Sequence, residues 1–210
     1  MVELVADKYE GEGSSAENTQ KKGGVQIQRD VYGNTPLHKA CQAGNEDEAR
    51  ALLKANADVH DFNMLDFTPL HVAGRYGNSD IIRLLITHGA DPNVRNKLGN
   101  TPLHLASSTG RIDAIKTLIE MGADVNACMG DGKTPLHLAY MNNHAGAVRL
   151  LMELGANIKI RNDDGFSPLD MVLKLPDDDP KKEKMLNIFR ELATEVVLEK
   201  IVGLKKPFGA

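Results

Sequence analysis

The chain has 210 residues, 41% hydrophobic and 26% charged, with no tryptophan, four tyrosines, five phenylalanines and a formal charge of −4. Such a composition suits one elongated domain with an aliphatic core and tails, and the slightly acidic balance offers no basic field for nucleic acid. No uninterrupted apolar stretch reaches bilayer length and no basic-then-apolar leader is present, so the expectation is a cytoplasmic protein, with a nuclear address left open.

In chain order, residues 1–29 precede any regularity. The stretch 10–24 is polar and glycine-rich and is expected to be a flexible segment. Ahead of it, Val2, Leu4, Val5 and Tyr9 fit either a short helix that partly caps the body of the chain or a disordered leader.

From residue 30 a strong period takes over. The string Thr-Pro-Leu-His starts at Thr35, Thr68, Thr101 and Thr134 and returns weakened at Ser167, with Asp170 in the histidine slot, an interval of 33 residues each time. A period of this size marks stacked repeat units, here 30–62, 63–95, 96–128, 129–161 and a degenerate fifth from 162, within a repeat region of 30–175. Pro36, Pro69, Pro102 and Pro135 suit the first position of a helix. That helix, about eight or nine residues long, should end at Gly44, Gly77, Gly110 and Asn143, because glycine and asparagine accept the left-handed backbone of a helix terminus. A second helix should end at Asn56, Gly89, Gly122 and Gly155 by the same argument. Its buried stripe is carried by Leu52-Leu53, Leu84-Leu85-Ile86, Leu118-Ile119 and Leu150-Leu151-Met152. Between units, turn-forming residues such as Gly130 to Gly132 predict projecting loops.

The fifth unit breaks its period at Pro176 to Pro180, an acidic insertion that opens a C-terminal region of 176–210. Asp179 and Pro180 suit a helix start, and a helix over about 181–201 is predicted. Met185, Ile188, Phe189, Leu192 and Val196 share one stripe that can close the stack. Val197, Leu198, Ile201, Val202 and Leu204 then either fold back as a cap or serve as an apolar handle.

The order of turn, Thr-Pro-Leu-His helix, glycine, second helix with a leucine pair, and Gly-Ala-Asp resembles the ankyrin repeat. The resemblance covers about residues 30–175, as four full copies and a partial fifth. It implies an all-α solenoid of stacked helix-turn-helix units whose β-hairpin-like loops project to form a concave groove. It also implies a non-catalytic module, monomeric when free, that binds another protein in that groove without a cofactor, as an adaptor, an inhibitor or an assembly subunit. An architectural subunit attached through its C-terminal helix is the competing reading. In this context Asn126 resembles ankyrin asparagines that are hydroxylated in animals.

Other chemistries read less well. Four histidines, His38, His71, His104 and His137, recur with the period, but helices packed about 8–10 Å apart cannot bring them to one zinc, whose ligand atoms lie about 4 Å from each other. Each is read as a hydrogen-bonder tying its turn to neighbouring backbone. Ala127 to Thr134 fits a loose phosphate-loop pattern, yet Thr134 is the repeat's own threonine and Pro135 comes directly after it. Cys41 and Cys128, nearly three repeats apart, should not pair. No acid, base and nucleophile converge, so no enzyme is expected.

The positions where copies differ are then the informative ones. Before each Thr-Pro-Leu-His these are Val31, Tyr32, Asn34, Met64, Leu65, Phe67, Lys97, Leu98, Asn100, Asp131, Lys133, Asp164 and Phe166. Late in the first helices they are Gln42, Arg75, Tyr76, Ser108, Thr109, Met141 and Asn142. Tyr32, Met64, Leu65, Phe67, Arg75 and Tyr76 form the expected apolar centre of a partner site, with Lys97, Asn100, Asp131 and Lys133 as its polar end. Mutual packing of Met64, Leu65 and Phe67, merely stiffening the loops, is the alternative. Asp66, where the other copies have Gly33, Gly99, Gly132 and Gly165, is expected to bend the second loop differently.

Overall fold

The computed structural model describes residues 18–22 and 25–192. A short antiparallel hairpin comes first, β1 (Asn18–Lys22) paired with β2 (Val25–Arg29) in a register that sets Asn18 opposite Arg29. Helix pairs come next: α1 (Pro36–Ala43) with α2 (Glu46–Lys54), α3 (Pro69–Tyr76) with α4 (Ser79–Thr87), α5 (Pro102–Ser108) with α6 (Ile112–Glu120), and α7 (Pro135–Met141) with α8 (Ala145–Glu153). The fifth unit contributes α9 (Pro168–Leu173), and α10 (Pro180–Leu192) closes the described chain. The pairing β1–β2 overlaps the stretch that the sequence reading leaves without structure. The Gly23-Gly24 pair between the two runs is a two-residue hairpin signal that a reading of composition alone passes over.

Each first helix starts with one device. Thr35, Thr68, Thr101 and Thr134 sit at the N-cap in extended conformation, and each hydroxyl accepts the N–H of the histidine three residues on. The histidine Nδ1 accepts the threonine N–H in return, so an imidazole does what a glutamate does in the usual capping box. Nε2 faces the next repeat. It donates to the carbonyl of Phe67 from His38 (2.8 Å), of Asn100 from His71 (3.0 Å), of Lys133 from His104 (3.1 Å) and of Phe166 from His137 (3.0 Å). A carbonyl only accepts, so the proton sits on Nε2 and the rings are neutral. In the fifth unit Ser167 and Asp170 keep the local half: Ser167 Oγ donates to Asp170 Oδ2 at 2.8 Å. Asp170 Oδ2 also pairs with Arg161 at 2.9 Å.

The helix ends occupy the predicted slots. Gly44, Gly77, Gly110 and Asn143 have φ of 69°, 87°, 66° and 60°, and Asn56, Gly89, Gly122 and Gly155 have φ between 60° and 96°. Between those ends the stack is dry and aliphatic. Leu37, Leu70, Leu103, Leu136 and Leu169 form one buried row, and Ala40, Ala73, Ala106, Ala139 and Val172 a second. Ala49, Ile82, Ile115 and Val148 do the same on the second helices, with Leu85, Leu118 and Leu151 beside them. Alanine and leucine let helices approach closely without steric cost.

Both ends of the stack are tied down. At the front, Arg29 donates to the carbonyls of Gly33 (3.0 Å) and Phe62 (3.1 Å) and pairs with Asp61 (3.1 Å) in a largely buried ion pair. At the back, α10 starts where predicted: Asp179 Oδ1 accepts the N–H of Lys181 at 2.8 Å. It packs on α8 and α9 through Met185, Leu186, Ile188 and Phe189, all buried. Lys182 holds the acidic insertion, donating to Leu175 O (2.6 Å) and pairing with Asp177 (2.8 Å). Val196 and the apolar run from Val197 to Leu204 lie outside the described residues, and with them the choice between cap and handle.

Candidate functional site

The loops are built by a side chain that the sequence reading did not single out. Asp30, Asn63, Asn96 and Asn162 stand five residues before each repeat threonine or serine. Their Oδ1 atoms gather the N–H groups of the loop: Asp30 those of Tyr32 (2.9 Å) and Asn34 (2.8 Å), Asn63 those of Leu65 (3.0 Å) and Phe67 (2.9 Å), and Asn96 those of Leu98 (3.0 Å) and Asn100 (2.9 Å). Asn162 accepts from Phe166 at 2.9 Å. The fourth loop has Met129 in this slot and cannot do the same. The signal was available, because Asp and Asn recur there at the repeat interval and both favour such local turns.

Successive loops join edge to edge. Met64 N–H donates to Tyr32 O (2.9 Å), Gly130 N–H to Leu98 O (2.8 Å) and Asp163 N–H to Asp131 O (3.0 Å). Glycine permits this approach: a Cβ on Gly99, whose φ is 78°, would stand 2.7 Å from Gly130 N. Asp66 has φ of 62°, the same left-handed backbone as its glycine counterparts, which corrects the expectation of a differently bent chain. What differs is the junction. Lys97 N–H goes to Asp66 Oδ2 where the pattern calls for a main-chain carbonyl, and Lys97 Nζ pairs with Oδ1 at 3.0 Å. Burial pushes the Asp66 carboxyl up, but the two Lys97 hydrogen bonds and its charge outweigh that and hold it below the ordinary carboxylate value. Asp131 is shifted down in the same way by Lys133, with which it pairs.

Two rows of side chains result along the loop tips. One runs Val31, Met64, Lys97, Gly130, Asp163 and the other Tyr32, Leu65, Leu98, Asp131, Asp164. Over the first three repeats Val31, Met64, Leu65 and Leu98 are apolar and open, at 41%, 67%, 43% and 54% exposure, with the half-buried Tyr32 and the charged Lys97 among them. Over the fourth and fifth loops the rows turn acidic.

The remaining expected residues divide. Phe67 and Tyr76 are half-buried and pack against the core, Phe67 also stacking on His71 with centroids 5.7 Å apart. Asn34 is half-buried and accepts from Asn63 Nδ2 at 2.7 Å. Asn100 is only 5% exposed and so leaves the set: the loop turns it beneath the tips, under the His71 bond. Late in the first helices, capping of one unit by the next engages several more. Thr109 Oγ1 (3.1 Å) and Arg111 Nε (3.2 Å) donate to Arg75 O, while Asn142 Nδ2 and His144 Nε2 donate to Ser108 O, both at 3.0 Å. Gln42 and Met141 are exposed, Met141 at 44%. At the far end Lys174 Nζ lies 3.6 Å from the centre of the Phe166 ring.

Reactive groups are otherwise committed to structure. Burial lowers His38, His71 and His104 from 6.5 to about 4 and lowers His137 as well, the bonds to the carbonyls opposing it. Both ring nitrogens of each are used in hydrogen bonds. Cys41 is buried, its thiol pushed up to about 12, and it and Cys128 are free. Among the described residues no group of three or more His, Cys, Asp or Glu could hold a metal ion, and no helix is long and apolar enough to cross a membrane. Compared with known protein families, the chain matches the one described as ankyrin repeats (3 copies), over residues 13–96, 59–129 and 89–162. No curated protein matches it.

Proposed function

The chain belongs to the ankyrin-repeat family, whose members are generally protein–protein interaction modules, and from that premise we propose that it holds one partner protein on the loop tips and first-helix ends of its repeats. The observation carrying this reading is the open apolar set of Val31, Met64, Leu65 and Leu98, carried on three loops joined by the main-chain bond of Met64 to Tyr32 and by the bond from Lys97 N–H to the Asp66 carboxylate. A rigid apolar surface loses little entropy on binding, and exposed aliphatic patches of this kind mark interfaces.

Tyr32, Phe67, Arg75 and Tyr76 form the floor beneath that row, with Met141, Ser108, Thr109 and Asn142 continuing it along the helix ends. Lys97, Asp131 and Lys133 supply charge that fixes orientation and register. Asn34 supports the first loop. The chain acts as an adaptor, an inhibitor or an assembly subunit by occupying its partner's surface, with no chemistry of its own.

Affinity capture from the source cell with the intact chain and with Met64→Ser, Leu65→Ser and Leu98→Ser combined tests the site. The partner should be lost from the triple variant while its helical content and melting curve stay unchanged. Truncating Phe67 or Tyr76 to Ala should weaken capture by about 2 kcal/mol each if the half-buried rings are central anchors. Capture that survives the triple variant but fails on deletion of residues 194–210 would assign the contact to the C-terminal segment instead.

A further inference from the structure

Neighbouring loops are tied to one another in two ways, and the junction of the second loop with the third lacks both. Main-chain bonds from Met64 N–H to Tyr32 O, from Gly130 N–H to Leu98 O and from Asp163 N–H to Asp131 O join the first loop to the second, the third to the fourth and the fourth to the fifth. The corresponding bond between the second and third loops would run from Lys97 N–H to Leu65 O, and that N–H goes elsewhere. A guanidinium tie also recurs, in the slot just before each loop: Arg29 donates to Phe62 O at 3.1 Å and Arg95 to Cys128 O at 2.7 Å, each across 33 residues. Phe62 holds that slot in the second unit, and a phenyl ring has no donor to send to the Arg95 carbonyl.

One carboxylate takes the place of both ties. Asp66 Oδ2 accepts the Lys97 N–H, and Asp66 Oδ1 pairs with Lys97 Nζ at 3.0 Å. Among the described residues no other hydrogen bond or ion pair links 63–66 with 96–99. The base of the third loop is fastened separately, by the His71 bond to the Asn100 carbonyl. Asp66 makes its contact from left-handed backbone, φ 62°, where the other loops have glycine. That conformation disfavours a side chain, so the residue stands here against local preference.

The contact is electrostatic and open to solvent, with the Lys97 side chain 86% exposed and that of Asp66 21%. A bond between neutral main-chain groups is nearly indifferent to salt. An exposed pair of opposite charges weakens as the screening length falls from about 10 Å at 0.1 M salt to about 3 Å at 1 M. The apolar set straddles this junction, with Val31, Met64 and Leu65 on one side and Leu98 on the other.

We propose that Asp66 and Lys97 form an ionic latch holding the tip of the third loop against the second, and that screening or removing the Lys97 charge lets the two tips part, separating Leu98 from Met64 and Leu65. The first two loops then move as one piece and the last three as another. A partner that needs all the apolar side chains together is held only while the latch is shut. That consequence rests on the partner site proposed above; the latch itself does not.

Amide hydrogen exchange in the intact chain reads the latch against internal controls. Protection of the Lys97 N–H should fall about tenfold between about 0.05 and about 1 M sodium chloride, while Met64, Gly130 and Asp163, whose N–H groups go to carbonyls, change less than about twofold. Asp66→Gly should let the Lys97 N–H reach the Leu65 carbonyl as its counterparts do, and its protection should then ignore salt. Asp66→Asn keeps the left-handed backbone and an acceptor but no charge, so Lys97 should be less protected at low salt and insensitive to more. Protection of Lys97 that ignores salt in the intact chain, an equal fall at all the compared amides, or an Asp66→Asn variant indistinguishable from the intact chain would each overturn the proposal. No partner is present in these measurements. Partner loss from the serine triple variant alongside salt-insensitive exchange would leave the binding surface standing and remove only the latch.

Discussion

His71 donates from Nε2 to the carbonyl of Asn100, 29 residues away, at 3.0 Å, while its Nδ1 accepts from Thr68 within its own repeat. One neutral imidazole thus starts a helix and fastens the next loop, and both bonds are buried.

His71→Ala removes both bonds at once: it strands the buried Thr68 N–H and leaves the Asn100 carbonyl with the Asn96 N–H alone. A loss of about 2–4 kcal/mol is expected, from an unsatisfied buried group together with a broken cap. Denaturant melts at pH 7 check it. His137→Ala, nearer the end of the stack, should cost less.

The same rings make stability depend on acid. Unfolded, each titrates near its ordinary 6.5; folded, His38, His71 and His104 titrate at about 4. Between those values the unfolded chain takes up protons that the folded one refuses, so the stabilisation is complete above about pH 6.5 and lost as pH falls toward 4. At pH 5 each ring contributes a loss of roughly 2 kcal/mol. Melting temperature should be flat from pH 8 to 7 and fall steeply below about 6, and a histidine-to-alanine variant should show a shallower fall.

Leu118 and Leu151 are fully buried in the second-helix stripe. Leu118→Ala or Leu151→Ala should cost about 2–5 kcal/mol through lost burial and the cavity left behind. A change under about 0.5 kcal/mol in a urea melt would be that of a surface site and would contradict the stripe.

Met129 occupies the slot where Asp30, Asn63, Asn96 and Asn162 gather their loop's N–H groups. Its main-chain bonds match those of Asn96: Met129 N–H donates to Lys133 O, and Gly132 N–H to Met129 O. Met129→Asn should therefore stabilise by less than about 1 kcal/mol, because it offers the Lys133 N–H a better-placed acceptor than the Asp131 carboxylate that takes it now at 3.3 Å. Calorimetry of the single variant decides it.

Much of the fold is legible in the sequence. The interval of the Thr-Pro-Leu-His string, the left-handed slots at Gly44 and Gly89, and the stripe through Leu118 and Leu151 all express rules that act within four residues or one helical face. Such rules are written in neighbouring letters. The Asp, Asn and Met series at the loop starts is equally readable, but attention to the positions that vary passes over a slot that is nearly constant.

Tertiary structure alone decided which variable positions reach the surface. Asn100 and Leu98 stand two residues apart in the same loop, one 5% and the other 54% exposed. The partner of each imidazole Nε2, the junction of Asp66 with Lys97, and the hold of Arg29 on Phe62 likewise join residues about 30 apart. Local propensity assigns a backbone shape to each unit. Which side chains it leaves open depends on how closely the next unit is drawn against it, an interaction between surfaces that exists only once the stack has formed.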